Sequence, residues 1–136
     1  MRPPRPTVSD TAASTPRKRA EMLPEPFSVE FQPEREAVRV CPVGELDVST
    51  VEEVRSRIDT LVGDGWHRVV LDLRRTTFMD SSGLHLAVDV HERSAGDGFG
   101  FGIIAGPPAV HRAFTITGLN SRLPFEDARL HRTRAA

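Results

Sequence analysis

Arg68-Val69-Val70-Leu71-Asp72-Leu73-Arg74-Arg75-Thr76-Thr77-Phe78-Met79-Asp80-Ser81-Ser82-Gly83-Leu84-His85-Leu86 decides the reading of this chain. Its first residues, Val69 to Leu73, have the near-continuous apolar character of a strand in a sheet covered on both faces. A polar loop follows and delivers two adjacent serines, Ser81 and Ser82, to the start of a helix. There, free backbone N–H groups and the helix dipole favour negative charge. A phosphate added to such a hydroxyl is tolerated by the fold and stays visible to a partner. The stretch therefore points to a phosphorylation switch more than to a catalytic site.

The flanking sequence places this segment in an alternating chain. Phe27, Val29 and Phe31 alternate with Ser28 and Glu30, as in a half-buried strand. Gln32-Pro33-Glu34-Arg35 reads as a turn. Val38 and Val40 then give a second strand, with Pro42 expected to end it or mark an edge. Gly44-Glu45-Leu46-Asp47 leads into a first helix. Ser49 and Glu52 have the capping-box spacing, and Val51, Val54, Ile58, Leu61 and Val62 form an apolar stripe. Gly63-Asp64-Gly65 stops that helix, and Trp66 to Leu73 is the next strand.

The helix that opens at the serines carries Leu84, Ala87, Val88 and His91 on one face and ends at Ala95-Gly96-Asp97-Gly98. Phe99 to Ile104 predicts a further strand. Pro107-Pro108 opens a third helix, since proline suits the first turn; Val110, Ala113, Phe114 and Thr117 face inward. Leu123 to Phe125 is a short last strand, and Glu126 to Arg134 a weak helix or a frayed end. The order is α/β: a mixed sheet of about five strands, a leading hairpin then strand–helix alternation, with three to four helices packed on it. The expected organisation is a disordered Pro/Arg-rich tail over 1–26, one domain over 27–130 and a frayed C-terminus over 131–136.

Composition narrows the function. The chain has 136 residues and a net charge of −1, from 18 basic and 19 acidic residues, which leaves no electrostatic footprint for nucleic acid or membrane. Lys18 is the single lysine and lies in the tail, beside Arg17 and Arg19, so the folded part offers no catalytic lysine. With Cys41 as the single cysteine, an internal disulfide is impossible and a reducing compartment is the simpler setting. The apolar runs fall short of the ~20 residues of a membrane helix, and the N-terminus lacks a signal-peptide core. A cytoplasmic protein is expected.

Enzyme motifs fit poorly. A nucleophile elbow needs Gly-x-Ser-x-Gly, but Asp80 and Gly83 flank the serines, and no spacing marks a histidine as their base. Gly100-Phe101-Gly102-Ile103-Ile104-Ala105 matches a dinucleotide pattern in letters, yet those glycines lie within a strand, where they make room for close packing. Asp72 ends a strand as a phospho-acceptor aspartate would, without the later lysine such a domain uses. His85 and His91 point to different sides of a helix, and His111 and His131 lack acidic or cysteine companions at ligand spacing. By itself, Asp80-Ser81-Ser82-Gly83 is an ordinary helix-capping sequence.

From Phe27 to about Phe125 the chain resembles a STAS domain of the bacterial anti-sigma factor antagonist family. Three separated elements carry the likeness: Gly44-Glu45-Leu46-Asp47 before the first helix, Phe78-Met79-Asp80-Ser81-Ser82-Gly83-Leu84 as the phosphorylation loop, and Phe114-Thr115-Ile116-Thr117-Gly118-Leu119 with Leu123 and Phe125. The resemblance implies a partner-switching module with no activity and no cofactor of its own. The unmodified form binds an anti-sigma factor that is itself a serine kinase of the histidine-kinase-like ATPase fold, and so frees a sigma factor. Phosphorylation at Ser82, with Ser81 the runner-up, ends binding, and a PP2C-type phosphatase resets it. Asp47, Ser49, Met79, Asp80, Ser81, Gly83, Leu84 and His85 become the expected partner-binding residues. His85 departs from the family, many members of which carry a small residue there. The competing expectations are a non-switching scaffold and a ligand-sensing module of a signalling complex.

Overall fold

The computed structural model describes residues 26–131. The tail and its Arg17-Lys18-Arg19 cluster, and residues 132–136, lie outside this range. The elements run β1 (Ser28–Pro33), β2 (Val38–Leu46), α1 (Val51–Gly63), β3 (Arg68–Asp72), β4 (Thr76–Met79), α2 (Ser81–Asp97), β5 (Gly100–Ile104), α3 (Pro108–Ile116) and β6 (Phe125–Glu126), with single 3-10 turns at Leu119–Ser121 and Ala128–Leu130. The sheet order is β1-β2-β3-β5-β6, with β4 paired to β2. β1 is antiparallel to β2 and every other pairing is parallel. The architecture is the expected α/β mixed sheet, with six strands rather than about five.

The extra strand is β4, which the sequence reads as a polar loop. Its four residues are buried, exposed, exposed and buried in turn, so they lack the period-2 signature. β4 pairs instead with an extension of β2: Gly44 faces Thr76, Glu45 faces Phe78 and Leu46 faces Met79. β2 therefore runs through Pro42 rather than ending there. Pro42 is tolerated because it falls at a changeover, after β2 has paired with β3 through Val40 and before it pairs with β4 at Gly44. The Thr76 hydroxyl donates to the Pro42 carbonyl at 3.0 Å across this gap. The pairing register shifts immediately after Gly44, whose φ of 112° suits glycine.

All three helices pack on one face. Val51, Val54 and Ile58 of α1, Leu86, Ala87 and Val90 of α2, and Val110 and Phe114 of α3 share one core with Val40, Leu71 and Ile103 of the sheet. The opposite face carries Arg39, Val70, Asp72, Gly102 and Ile104, all buried. Much of that face is ionic. Arg39 Nη1 donates to Asp72 Oδ2 at 2.7 Å, and Arg74 grips the same carboxylate through its backbone N–H, Nε and Nη2. The continuous burial of β3 is thus met by helices on one side and ion pairs on the other. Gly100 lies under the Arg68 side chain, and a Cβ at Gly102 would strike the Glu126 carboxylate, so these glycines make room as expected.

Three local expectations change. The Ser49–Glu52 capping box does not form. Thr50 is the N-cap and makes no side-chain cap bond, while Ser49 Oγ donates to Asp47 Oδ1 at 2.7 Å. Thr117 follows α3 as its C-cap and is exposed. His131, expected in a frayed end, is 6% exposed and holds two carboxylates.

Candidate functional site

The end of β4 and the start of α2 build the site. Asp80 is the N-cap in an extended conformation, and its Oδ1 accepts the Ser82 backbone N–H at 2.8 Å. That bond satisfies one of the free N–H groups of the first turn. The Asp80 N–H donates to Leu46 O at 3.3 Å, which ties the helix start to the end of β2. Ser81 is exposed and Ser82 half-buried. Among the described residues no hydrogen bond joins either hydroxyl to a histidine.

Gly83 turns inward. A Cβ there would overlap the Met79 side chain, with Sδ only 2.7 Å away and Leu46 Cδ2 at 3.3 Å. The first turn of α2 therefore rests directly on Met79. Met79, expected to touch a partner, is 8% exposed and supports the loop from below. Leu84 is half-buried against the core, and His85 is exposed on the first turn. Gly83→Ala is expected to destabilise the fold by about 1–3 kcal/mol, the usual size of core overpacking. Urea denaturation of the variant checks this; an unchanged midpoint would mean that Met79 moves aside freely.

The β2–α1 loop lies beside this turn. Asp47 Oδ1 accepts from Ser49 Oγ and from the Ser49 N–H at 3.0 Å, and these bonds hold its carboxyl below the ordinary range. Thr50 Oγ1 accepts the Asp47 N–H at 2.9 Å and donates to Glu45 O at 2.8 Å, locking the loop. Asp47, Ser49, Asp80, Ser81 and Ser82 thus line one edge of the sheet, at the ends of β2 and β4. Two apolar side chains flank them in sequence: Val48 is 75% exposed and Phe78 50% exposed. Sequence reading did not single out either as a contact residue. The available signal was Phe78 following two threonines, which is visible as exposure only once β4 is recognised.

Asp72 is no free phospho-acceptor, since both its oxygens are engaged by Arg39 and Arg74. Burial pushes its carboxyl up, but those arginine bonds prevail and leave it below the ordinary range. Burial also pushes the Cys41 thiol up, to about 11. An open cleft of about 470 Å3, lined by Arg35, Glu36 and Asp64 to Arg68, lies at the start of β3, the opposite end from Asp80. Its charges are of both signs. No described helix is long and apolar enough to cross a membrane, and among the described residues no group of three or more His, Cys, Asp or Glu side chains is arranged to hold a metal ion.

The family model described as STAS domain matches residues 29–133. Among solved structures, an anti-sigma factor antagonist from Mycobacterium paratuberculosis is similar at 28% identity and a TM-score of 0.67, over 76% of this chain and 89% of that one. SpoIIAA, described as an anti-sigma factor antagonist in its unphosphorylated form, is similar at 25% identity and a TM-score of 0.60, over 81% of this chain and 100% of its own. SpoIIAA in the phosphorylated form, described as a Bacillus cell fate determinant, is similar at 25% identity and a TM-score of 0.57, over 77% and 95%.

Proposed function

Since the chain belongs to the STAS domain family, we propose that it is an anti-sigma factor antagonist that works by partner switching. The unphosphorylated form binds an anti-sigma factor of the histidine-kinase-like ATPase fold and so releases a sigma factor. That partner phosphorylates Ser82, which ends the complex, and a PP2C-type phosphatase restores it. The protein acts as substrate and binding surface in the cytoplasm. The observation that carries this reading is the placement of Ser82: on the first turn of α2, partly accessible, beside an edge that presents Asp47, Asp80, Val48 and Phe78. SpoIIAA, solved in both phosphorylation states, is a relative of similar fold.

Ser82→Ala and Ser82→Asp separate this reading from a scaffold or a ligand sensor. Under partner switching, alanine stays bound to the anti-sigma factor in the presence of ATP, while aspartate binds weakly. Equal binding of wild type and both variants in the presence of ATP would sink the switch. Phe78 supplies an independent check. An exposed aromatic at an interface is the type of residue that forms a hot spot. Phe78→Ala is expected to weaken the complex by about 1–2 kcal/mol, roughly five- to thirtyfold, with thermal stability retained because half the side chain is already in water. Calorimetric titration reads this, and an unchanged affinity would place Phe78 outside the interface.

A further inference from the structure

His131 lies on the face of the sheet away from the helices, and both its ring nitrogens meet carboxylates. Nδ1 is 3.0 Å from Glu34 Oε1 and Nε2 is 2.8 Å from Glu126 Oε1. Glu34 stands in the β1–β2 turn and Glu126 on β6, at opposite sides of the sheet order. A neutral imidazole has one N–H and one lone pair, so it satisfies one carboxylate and turns a lone pair on the other. The imidazolium satisfies both, and a buried polar contact left unmade is costly.

The carboxylates are themselves held in place. Arg39 Nε donates to Glu34 Oε2 at 2.8 Å, and Arg68 pairs with Glu126. Arg39 continues to Asp72, and Asp72 to Arg74. Gly102 leaves the space in which the Glu126 carboxylate lies. Asp127 and Arg129, on the same segment, pair with each other at 2.7 Å. The sheet side of the contact thus stays assembled with or without a proton on His131. Only the chain segment carrying the histidine depends on it.

We propose that His131 is a proton-operated clasp that fastens the C-terminal segment, residues 127–131, across the back of the sheet to the β1–β2 turn, and releases it when the ring becomes neutral. The clasp is independent of the Ser82 switch. Hydrogen-exchange mass spectrometry on the full chain at about pH 5.5 and about pH 8.5, with rates corrected for the intrinsic effect of pH, reads the clasp. The reporters include the Leu130 and His131 amides, which donate to Asp127 O and Ala128 O. The C-terminal peptide is expected to lose protection by about tenfold or more at the higher pH, the scale of one charge-assisted hydrogen bond, while α2 peptides are unchanged. His131→Gln, which carries no charge and has its donors on a single nitrogen, is expected to be unprotected at both pH values. Equal corrected protection in wild type at the two pH values, or wild-type protection in His131→Gln, would overturn the clasp. Ring-nitrogen NMR of the wild type checks it without a variant: a neutral His131 ring in a segment that stays protected also overturns it.

Discussion

Phosphoserine at position 82 is expected to lower affinity for the anti-sigma factor by ~30- to several-thousand-fold while the domain stays folded. The phosphate brings roughly −1.5 to −2 charges. On the first turn of α2 the helix dipole offsets part of this, by ~0.3–2 kcal/mol. The Ser82 N–H is already bonded to Asp80 Oδ1 at 2.8 Å. The phosphate therefore competes with a carboxylate for that donor and is repelled by it. In water this repulsion is screened. In an interface the same charge loses its hydration and costs on the order of 2–5 kcal/mol. Titration of the partner with protein carrying phosphoserine at this position reads the loss, and a thermal melt of the same sample tests the fold. Tight binding by the phosphorylated form would place Ser82 outside the interface.

Asp72→Ala is expected to be the most damaging substitution for stability, at about 3–5 kcal/mol, because it removes the buried carboxylate that Arg39 and Arg74 share and breaks a buried ion pair. Arg39 and Asp72 side chains are each 5% exposed, so solvent screens their pair little. Loss of Asp72 leaves Arg39 with Glu34 and takes the carboxylate from Arg74. A domain of this size loses several degrees of melting temperature for each kcal/mol. The pH dependence has a fixed sign. Burial raises the Asp72 carboxyl, and the bonds from Arg74 and Arg39 more than reverse it, so the folded value is depressed. Its contribution is present above the ordinary carboxyl range and is lost as pH falls through the depressed folded value. Denaturant titrations between about pH 7 and about pH 2 should show a shallower acid limb in Asp72→Asn than in wild type. Identical acid limbs would show that the ion pair adds nothing to folding.

The helices and most strands were legible because each signals over many residues with a clear period. The apolar stripe from Val51 to Val62 and the run from Val69 to Leu73 need no tertiary information. β4 was not legible, since four residues that pair only with the extension of β2 have no alternation to read. Pro42 hid that extension: it looks like a strand end until the changeover between β3 and β4 is seen. At the site, the serines and Asp80 were readable from capping chemistry. The inward turn of Gly83 onto Met79 was not, because it depends on where β4 sits beneath α2. The Glu34–His131–Glu126 contact joins residues 97 positions apart, and no local pattern announces such a pairing.

Incubation with ATP and the anti-sigma factor kinases encoded in the same genome, followed by intact-mass and peptide mass spectrometry, tests the central claim most directly. One added phosphate is predicted, on the peptide containing Ser81 and Ser82, present in wild type and absent in Ser82→Ala. A protein that binds such a kinase measurably, yet is never phosphorylated on that peptide, would contradict the switch and leave Ser82 as part of a capped helix start in a scaffold.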